Sequence, residues 1–239
     1  GENTSIGMLP VEGDEPGYEL KGHSGKIRSL VFSYDGKFLY SAALDGMVLK
    51  WDLTARTSTN VGTGGMQVTS VVLSLNNNYL AGISDQGKGL VWDPGRNERK
   101  LTIESAGKKI LNIRFKPGDD RIAVGYDDGT VELWDVELGE RISAFRAHQG
   151  AISDIRFNGS NPQMATAGSD GSLKLWDTDD FTAAPVSFTD NGGAVVSFDF
   201  SPDGTVVLSA AASEKPVITA RPAFADTFAR SEERRVGKE

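Results

Sequence analysis

Apolar residues recur at every second position along this chain, in short runs rather than long ones. KIRSLVF (26–32) and AISDIRF (151–157) alternate in this way, as do MVLKWD (47–52), TVELWD (130–135) and SLKLWD (172–177). A period of two is that of a strand with one face turned towards a core. KFLYSAA (37–43) and TVVLSAA (205–211) are further β-rich runs, set off by the turn phrases SYDG, KPGDD and SPDG. A fourth run closes each unit: RKLTIE, ERISAF and PVSF. The pattern predicts four short antiparallel strands per unit of about 42 residues, and helical periodicity over a dozen residues appears nowhere.

The units repeat. SDGSLKLWD (169–177) has close copies in LDGMVLKWD (44–52) and DDGTVELWD (127–135), and a weaker one in SDQGKGLVWD (84–93). All four tryptophans, Trp51, Trp92, Trp134 and Trp176, are followed by Asp, at spacings of 41, 42 and 42 residues. A fifth unit begins GGAVVSFDFSPDGTVVLSAAAS and reads ITARP where the Trp-Asp phrase should fall. A period of 40–45 with a Gly-His…Trp-Asp signature marks a blade of a β-propeller, and the chain resembles the WD-repeat family over roughly residues 20–220.

The resemblance implies an all-β fold, a β-propeller of four-stranded antiparallel blades. About five are visible, expected to be part of a seven- or eight-bladed ring. Residues 1–21 are expected to be the last strands of a preceding blade. The blades are expected at 22–62, 63–104, 105–146, 147–189 and 190–229, followed by a non-propeller tail at 230–239. The fifth unit resembles the terminal repeat of large bacterial WD-repeat proteins, which implies a C-terminal fragment of such a protein.

In this family four side chains of a blade form a hydrogen-bonded chain: His, a hydroxyl on the second strand, the turn Asp and Trp. The resemblance carries this onto His23, Ser41, Asp45 and Trp51, and onto His148, Thr166, Asp170 and Trp176. The second unit keeps Asp85 and Trp92, with Gly64 at the His position and Ala81 at the hydroxyl position, and its Asp-to-Trp segment is one residue longer. The third keeps Asp128 and Trp134 with Ala106 and Val124. The fifth keeps Ser209, with Asn191 for His, Glu214 near the turn and Arg221 near the Trp position. Such chains satisfy polar groups that burial would otherwise strand.

Composition narrows the function. The 239 residues carry a net charge of −8, which argues against nucleic acid and against a basic membrane surface. No apolar stretch approaches a bilayer span, so this piece is not expected to insert into a membrane. With no cysteine, thiol catalysis, disulfides and Cys-ligated zinc are excluded. The two histidines fall at structural positions of the repeat, which leaves no free base for a Ser-His-Asp triad and no convergent pair for a metal. VGTGGMQV and DQGKGLVW lack GK[ST] and read as turns rather than phosphate cradles. The eight carboxylates between Asp119 and Glu140 read as a solvated surface. No catalytic residue, metal or cofactor is expected.

What remains is binding. In the WD-repeat family, partner contacts concentrate three and five residues after the His and just before the turn Asp. By this rule the candidate face comprises Lys26, Arg28 and Leu44; Gln67, Thr69 and Ser84; Lys109, Leu111 and Asp127; Ala151, Ser153 and Ser169; and Ala194 and Val196. Cations beside apolar groups on an acidic protein make a surface for a protein or peptide partner. The expectation is a non-catalytic protein–protein interaction scaffold in the cytoplasm. The alternative is a sensing or regulatory C-terminal domain of a multidomain bacterial signalling NTPase or protease.

Overall fold

The computed structural model describes residues 4–11, 16–118, 120–189, 192–212 and 218–222. Among them every element is a strand. Strands β1 (Ser5–Met8) and β2 (Tyr18–Lys21) pair antiparallel in a two-stranded sheet. Four sheets of four strands follow in chain order. The first holds β3 (Ile27–Phe32), β4 (Phe38–Ala43), β5 (Val48–Asp52) and β6 (Thr57–Asn60). The second holds β7 (Val68–Leu73), β8 (Leu80–Ser84), β9 (Gly89–Asp93) and β10 (Glu98–Ile103). The third holds β11 (Ile110–Phe115), β12 (Arg121–Tyr126), β13 (Thr130–Asp135) and β14 (Glu140–Arg146). The fourth holds β15 (Ile152–Phe157), β16 (Gln163–Gly168), β17 (Leu173–Asp177) and β18 (Val186–Phe188). A last sheet has three described strands, β19 (Ala194–Phe200), β20 (Val206–Ala212) and β21 (Ile218–Pro222). The fold is all-β, with about five blades of the propeller type. Asn191, Glu214 and the tail at 230–239 lie outside the described residues.

The chain divides into two compact units. One comprises residues 1–122 with 134–141, the other 123–133 with 142–239. In the first, the inward face of β4 and β5 (Tyr40, Ala42, Val48) packs on β7, β8 and β9 through Val68, Val71, Leu80, Leu90 and Trp92. The opposite face of the same two strands, with Leu39, Leu49 and Trp51, packs on Ile6 and Leu20. In the second unit Ala123, Val131 and Leu133 meet Ile152, Ile155, Met164 and Trp176, while Ala165, Ala167, Leu173 and Leu175 meet Val195, Phe198 and Val207. Second strands are therefore covered on both faces, and β8 and β16 are buried at every position. Small residues such as Ala and Gly are what allow sheets to approach on both sides of one strand.

The first, second and fourth four-stranded sheets share one register. Leu39 stands opposite Trp51, Leu80 opposite Trp92 and Met164 opposite Trp176. In the last sheet Arg221 takes the Trp place, opposite Val207.

Candidate functional site

Two blades carry a complete side-chain chain. In the first, the Trp51 indole N–H donates to Ser41 Oγ at 2.8 Å, Ser41 lies 2.7 Å from His23 Nε2, and His23 Nδ1 lies 2.8 Å from Asp45 Oδ2. Asp45 also accepts from the backbone N–H groups of Ser24 and Met47, both at 2.9 Å. The fourth blade repeats the arrangement. Trp176 Nε1–H donates to Thr166 Oγ1 at 2.9 Å, Thr166 lies 2.8 Å from His148 Nε2, and His148 Nδ1 is 3.0 Å from Asp170 Oδ1. Gln149 N–H and Ser172 N–H complete the Asp170 carboxylate at 2.9 and 3.0 Å. With a neutral ring, Nδ1–H donates to the carboxylate, the hydroxyl accepts the indole N–H, and the hydroxyl's own proton goes to Nε2.

Electrostatics agree. Burial pushes the His148 imidazole below its ordinary value, and the hydrogen bond and charge of Asp170 offset this only in part, so the ring is neutral near pH 7. Burial raises the Asp170 carboxyl, but hydrogen bonds from Gln149, Ser172 and His148 outweigh it and hold the group below the usual carboxylate range. For Asp45 the raising effect of burial is likewise outweighed, by Met47, His23 and Ser24, so its carboxyl is also lowered.

The second blade is built differently. Aligning aspartates puts Asp85 at the turn position, but the structure puts Gln86 there. Gly87 (φ +74) matches Gly46 (φ +78), because this turn needs the left-handed backbone region that glycine tolerates. The backbone bonds agree, since Gly87 N–H reaches Ser84 O as Gly46 N–H reaches Ala43 O. Asp85 is exposed, Ser84 is buried, and Ser84 Oγ rather than a carboxylate accepts the Lys88 N–H at 3.1 Å. The same register places Gly82, not Ala81, opposite Leu90 where Ser41 stands opposite Leu49. A Cβ on Gly82 would lie under 3 Å from Val68 and the Ser70 carbonyl and 3.2 Å from the Trp92 ring, so these three leave no room for a side chain there. Trp92 N–H donates instead to Gly62 O at 2.7 Å.

In the third blade Asp128 accepts from Thr130 N–H at 3.0 Å. The buried Tyr126 hydroxyl donates to Glu132 at 2.7 Å. Glu132 is only 3% exposed, so the carboxylates between Asp119 and Glu140 are not uniformly a solvated surface. A second set of contacts missed in the sequence ties together the turns at the far end of the first strands. Asn77 accepts from Tyr34 N–H at 2.9 Å, and Asn76 donates to Asp120 at 3.1 Å. In the other unit Asn158 donates to Gly204 O at 2.9 Å. The spaced polar pairs Ser33/Asp35, Ser74/Asn76 and Ser201/Asp203 were the readable signal, since each serine hydroxyl bonds the residue two further on.

The positions expected to meet a partner share a structural device. The first hairpin of a blade shifts register between Ile27 and Ser29, Val68 and Ser70, Ile152 and Asp154, and Val195 and Ser197. The residue bulged out is Arg28, Thr69, Ser153 or Val196, each five residues beyond the His position. A bulge re-aims a side chain and leaves one residue outside the ladder. The neighbouring positions are linked by backbone: Leu44 N–H donates to Lys26 O, Asp85 N–H to Gln67 O and Ser169 N–H to Ala151 O, at 2.8–2.9 Å. In the first unit the turn of one blade rests on the entry to the next. Ile110 N–H donates to Gly87 O at 3.0 Å, and a Cβ on Gly87 would lie 3.0 Å from Lys109. Lys26, Arg28, Leu44, Gln67, Asp85, Lys109 and Leu111 are all exposed on this row, and Thr69 is half-buried. In the second unit Asp127, Ser169 and Val196 are exposed, while Ala151, Ser153 and Ala194 are half-buried.

Comparison with known proteins fits this architecture. The model of the WD domain, G-beta repeat, matches residues 14–52, 97–135 and 139–177, each match ending at the Asp after a Trp. The U3 small nucleolar RNA-associated protein 18 homolog of Arabidopsis thaliana is 32% identical over 108 residues, 42% of this chain and 20% of that protein. WD repeat-containing protein 36 of Homo sapiens is 40% identical over 52 residues, 22% of this chain and 6% of that one. Target of rapamycin complex subunit wat1 of Schizosaccharomyces pombe is 27% identical over 78 residues, 33% of this chain and 25% of its own length. The chain thus spans a quarter or less of each of these relatives. Among solved structures, that of U3-55K and that of the RRP9 WD40 repeats each superpose with a TM-score of 0.69 at 20% identity. They cover 83% of this chain and 62% and 61% of theirs. Three matched repeats, the two histidine-centred blades and these WD-repeat relatives together support a WD-repeat family for this chain.

Proposed function

We propose that this chain is a non-catalytic interaction scaffold that docks a protein or peptide partner on the row formed by Lys26, Arg28, Leu44, Gln67, Lys109 and Leu111. The observation that carries the reading is the recurring bulge, which sets Arg28 and Thr69 outside the ladder at the same end of the first two four-stranded sheets. Cations beside half-exposed leucines supply both attraction and a dry contact. Both histidines are engaged in blade-holding chains, so neither is available as a mobile base. One relative is named as a subunit of a complex, which agrees with a scaffold. A sensing domain of a bacterial NTPase or protease, in the cytoplasm or anchored at a membrane, is the other expectation; no observation favours it over the scaffold, and the relatives described above are eukaryotic.

The test is affinity isolation from cell extract with the tagged full chain, against Arg28→Glu combined with Lys109→Glu. The row reading expects recovery of specific partners to fall about tenfold, the effect of roughly 1.4 kcal/mol, with the circular dichroism spectrum unchanged. Identical recovery by the folded double variant would remove this row as the docking surface.

A further inference from the structure

In the second compact unit, the turn between β15 and β16 contains the pair Asn158–Gly159. Asn158 takes the place held by Ser33 in the first blade and Ser201 in the last sheet. Ser33 N–H donates to Phe38 O, Asn158 N–H to Gln163 O and Ser201 N–H to Val206 O, all at 2.8–2.9 Å. The two serine hydroxyls bond within their own turns, to Asp35 and Asp203. The longer Asn158 side chain reaches the neighbouring sheet. Its Nδ2 donates to Gly204 O at 2.9 Å and to Gln163 Oε1 at 3.2 Å, and its Oδ1 accepts from Ser160 N–H at 3.0 Å. Asn161 Nδ2 donates to the same Gly204 O at 3.3 Å. A Cβ on Gly204 would lie under 3 Å from Asn158 Oδ1 and Asn161 Nδ2, so the two turns are closely docked. Asn158 is 5% exposed, whereas Gly159 faces solvent.

We propose that Asn158 is a site of spontaneous deamidation, at which loss of the amide permanently undoes the tie between the fourth four-stranded sheet and the last sheet. Glycine leaves the nitrogen that follows the asparagine unhindered, and a Cβ at Gly159 would meet nothing within 4 Å. Solvent base removes the Gly159 N–H proton and the nitrogen attacks Asn158 Cγ. The new N–Cγ bond closes a succinimide, and the Cγ–Nδ2 bond breaks as ammonia leaves. Water then opens the ring at either carbonyl, giving aspartate or isoaspartate. The group that leaves is the group that makes the contact. While the turns are docked, Nδ2 is held by Gly204 and Gln163 and Oδ1 by Ser160, so attack waits for the contact to open. After the reaction a carboxylate oxygen faces the Gly204 carbonyl, an acceptor that cannot turn into a donor, in a buried place where an unmatched charge is costly. The isoaspartate product also adds a main-chain carbon beside the pair Phe157 and Met164, which disturbs the register of β15 on β16.

The full chain is incubated at pH 8 in native buffer and in urea above its unfolding midpoint. Peptide mass spectrometry follows Asn158 separately from Asn191, which also precedes a glycine. Conversion at Asn158 should be about tenfold or more slower in the native chain than in urea. Gly204→Ala forces the docked turns apart without touching the Asn-Gly pair, and should speed the native reaction about tenfold with the circular dichroism spectrum unchanged. Asn158→Asp should unfold at lower urea than Asn158→Ser, which restores the short side chain of the other turns and lacks the tie without adding a charge. Equal rates in buffer and urea, no conversion at Asn158 in urea, or a Gly204→Ala rate equal to that of the wild type would overturn the proposal. So would an Asn158→Asp chain at least as stable as Asn158→Ser.

Discussion

At His148 the two ring nitrogens have different tasks, one donating to Asp170 and the other accepting from Thr166. Burial lowers the imidazole below its ordinary value, which favours the neutral ring in this arrangement. A folded value below the ordinary 6.5 means that the unfolded chain takes up the proton first as pH falls. Stability from His148 is thus full above about pH 6.5 and declines below it. Asp170 acts at lower pH, because its depressed carboxyl gives stability present above the ordinary 3.8 and lost as pH falls through the folded value. Chemical unfolding at pH 7.5 and pH 5.5 should show the wild type losing stability on acidification and His148→Gln losing less. A wild type that becomes more stable at pH 5.5 would contradict the neutral, buried imidazole.

At the scale of the element, strand and turn were written plainly. The Trp-Asp phrase fixed the third strand of four blades, and alternation fixed the first, as in KIRSLVF and AISDIRF. The second blade was legible in its strands but not in its details. Matching letters paired Asp85 with Asp45, whereas the backbone is governed by where the left-handed glycine falls, and that pairs Gln86 with Asp45. Likewise Gly82 has no side chain to announce that Val68, the Ser70 carbonyl and the Trp92 ring close on it. Contacts between turns of neighbouring blades, such as Asn76 to Asp120, depend on packing that no local pattern encodes. Gly82→Ala forces a methyl against Val68, Ser70 and the Trp92 ring, an overpacking that costs about 1–3 kcal/mol. Urea unfolding should show that loss with a changed Trp92 emission; an unaltered midpoint would mean the strand yields freely.

For the molecule as a whole, the letters that recur and the letters that vary have separate roles. Recurring residues such as Asp45, Trp51, Asp170 and Trp176 turn inward and hold blades. Varying ones such as Arg28, Leu44, Thr69 and Ser169 stand at bulges and turns, where substitution leaves the ladder intact. In repeat proteins stability is a sum of units and their interfaces, so removing one blade's internal chain weakens its neighbours as well. The central claim is that the repeated phrase is architecture, and Asp170→Ala tests it most directly. The substitution leaves His148 Nδ1–H, Gln149 N–H and Ser172 N–H without their common acceptor. Urea unfolding of the full chain at pH 7.5, followed by tryptophan fluorescence, should show a loss of about 1–3 kcal/mol; a midpoint equal to that of the wild type would contradict it.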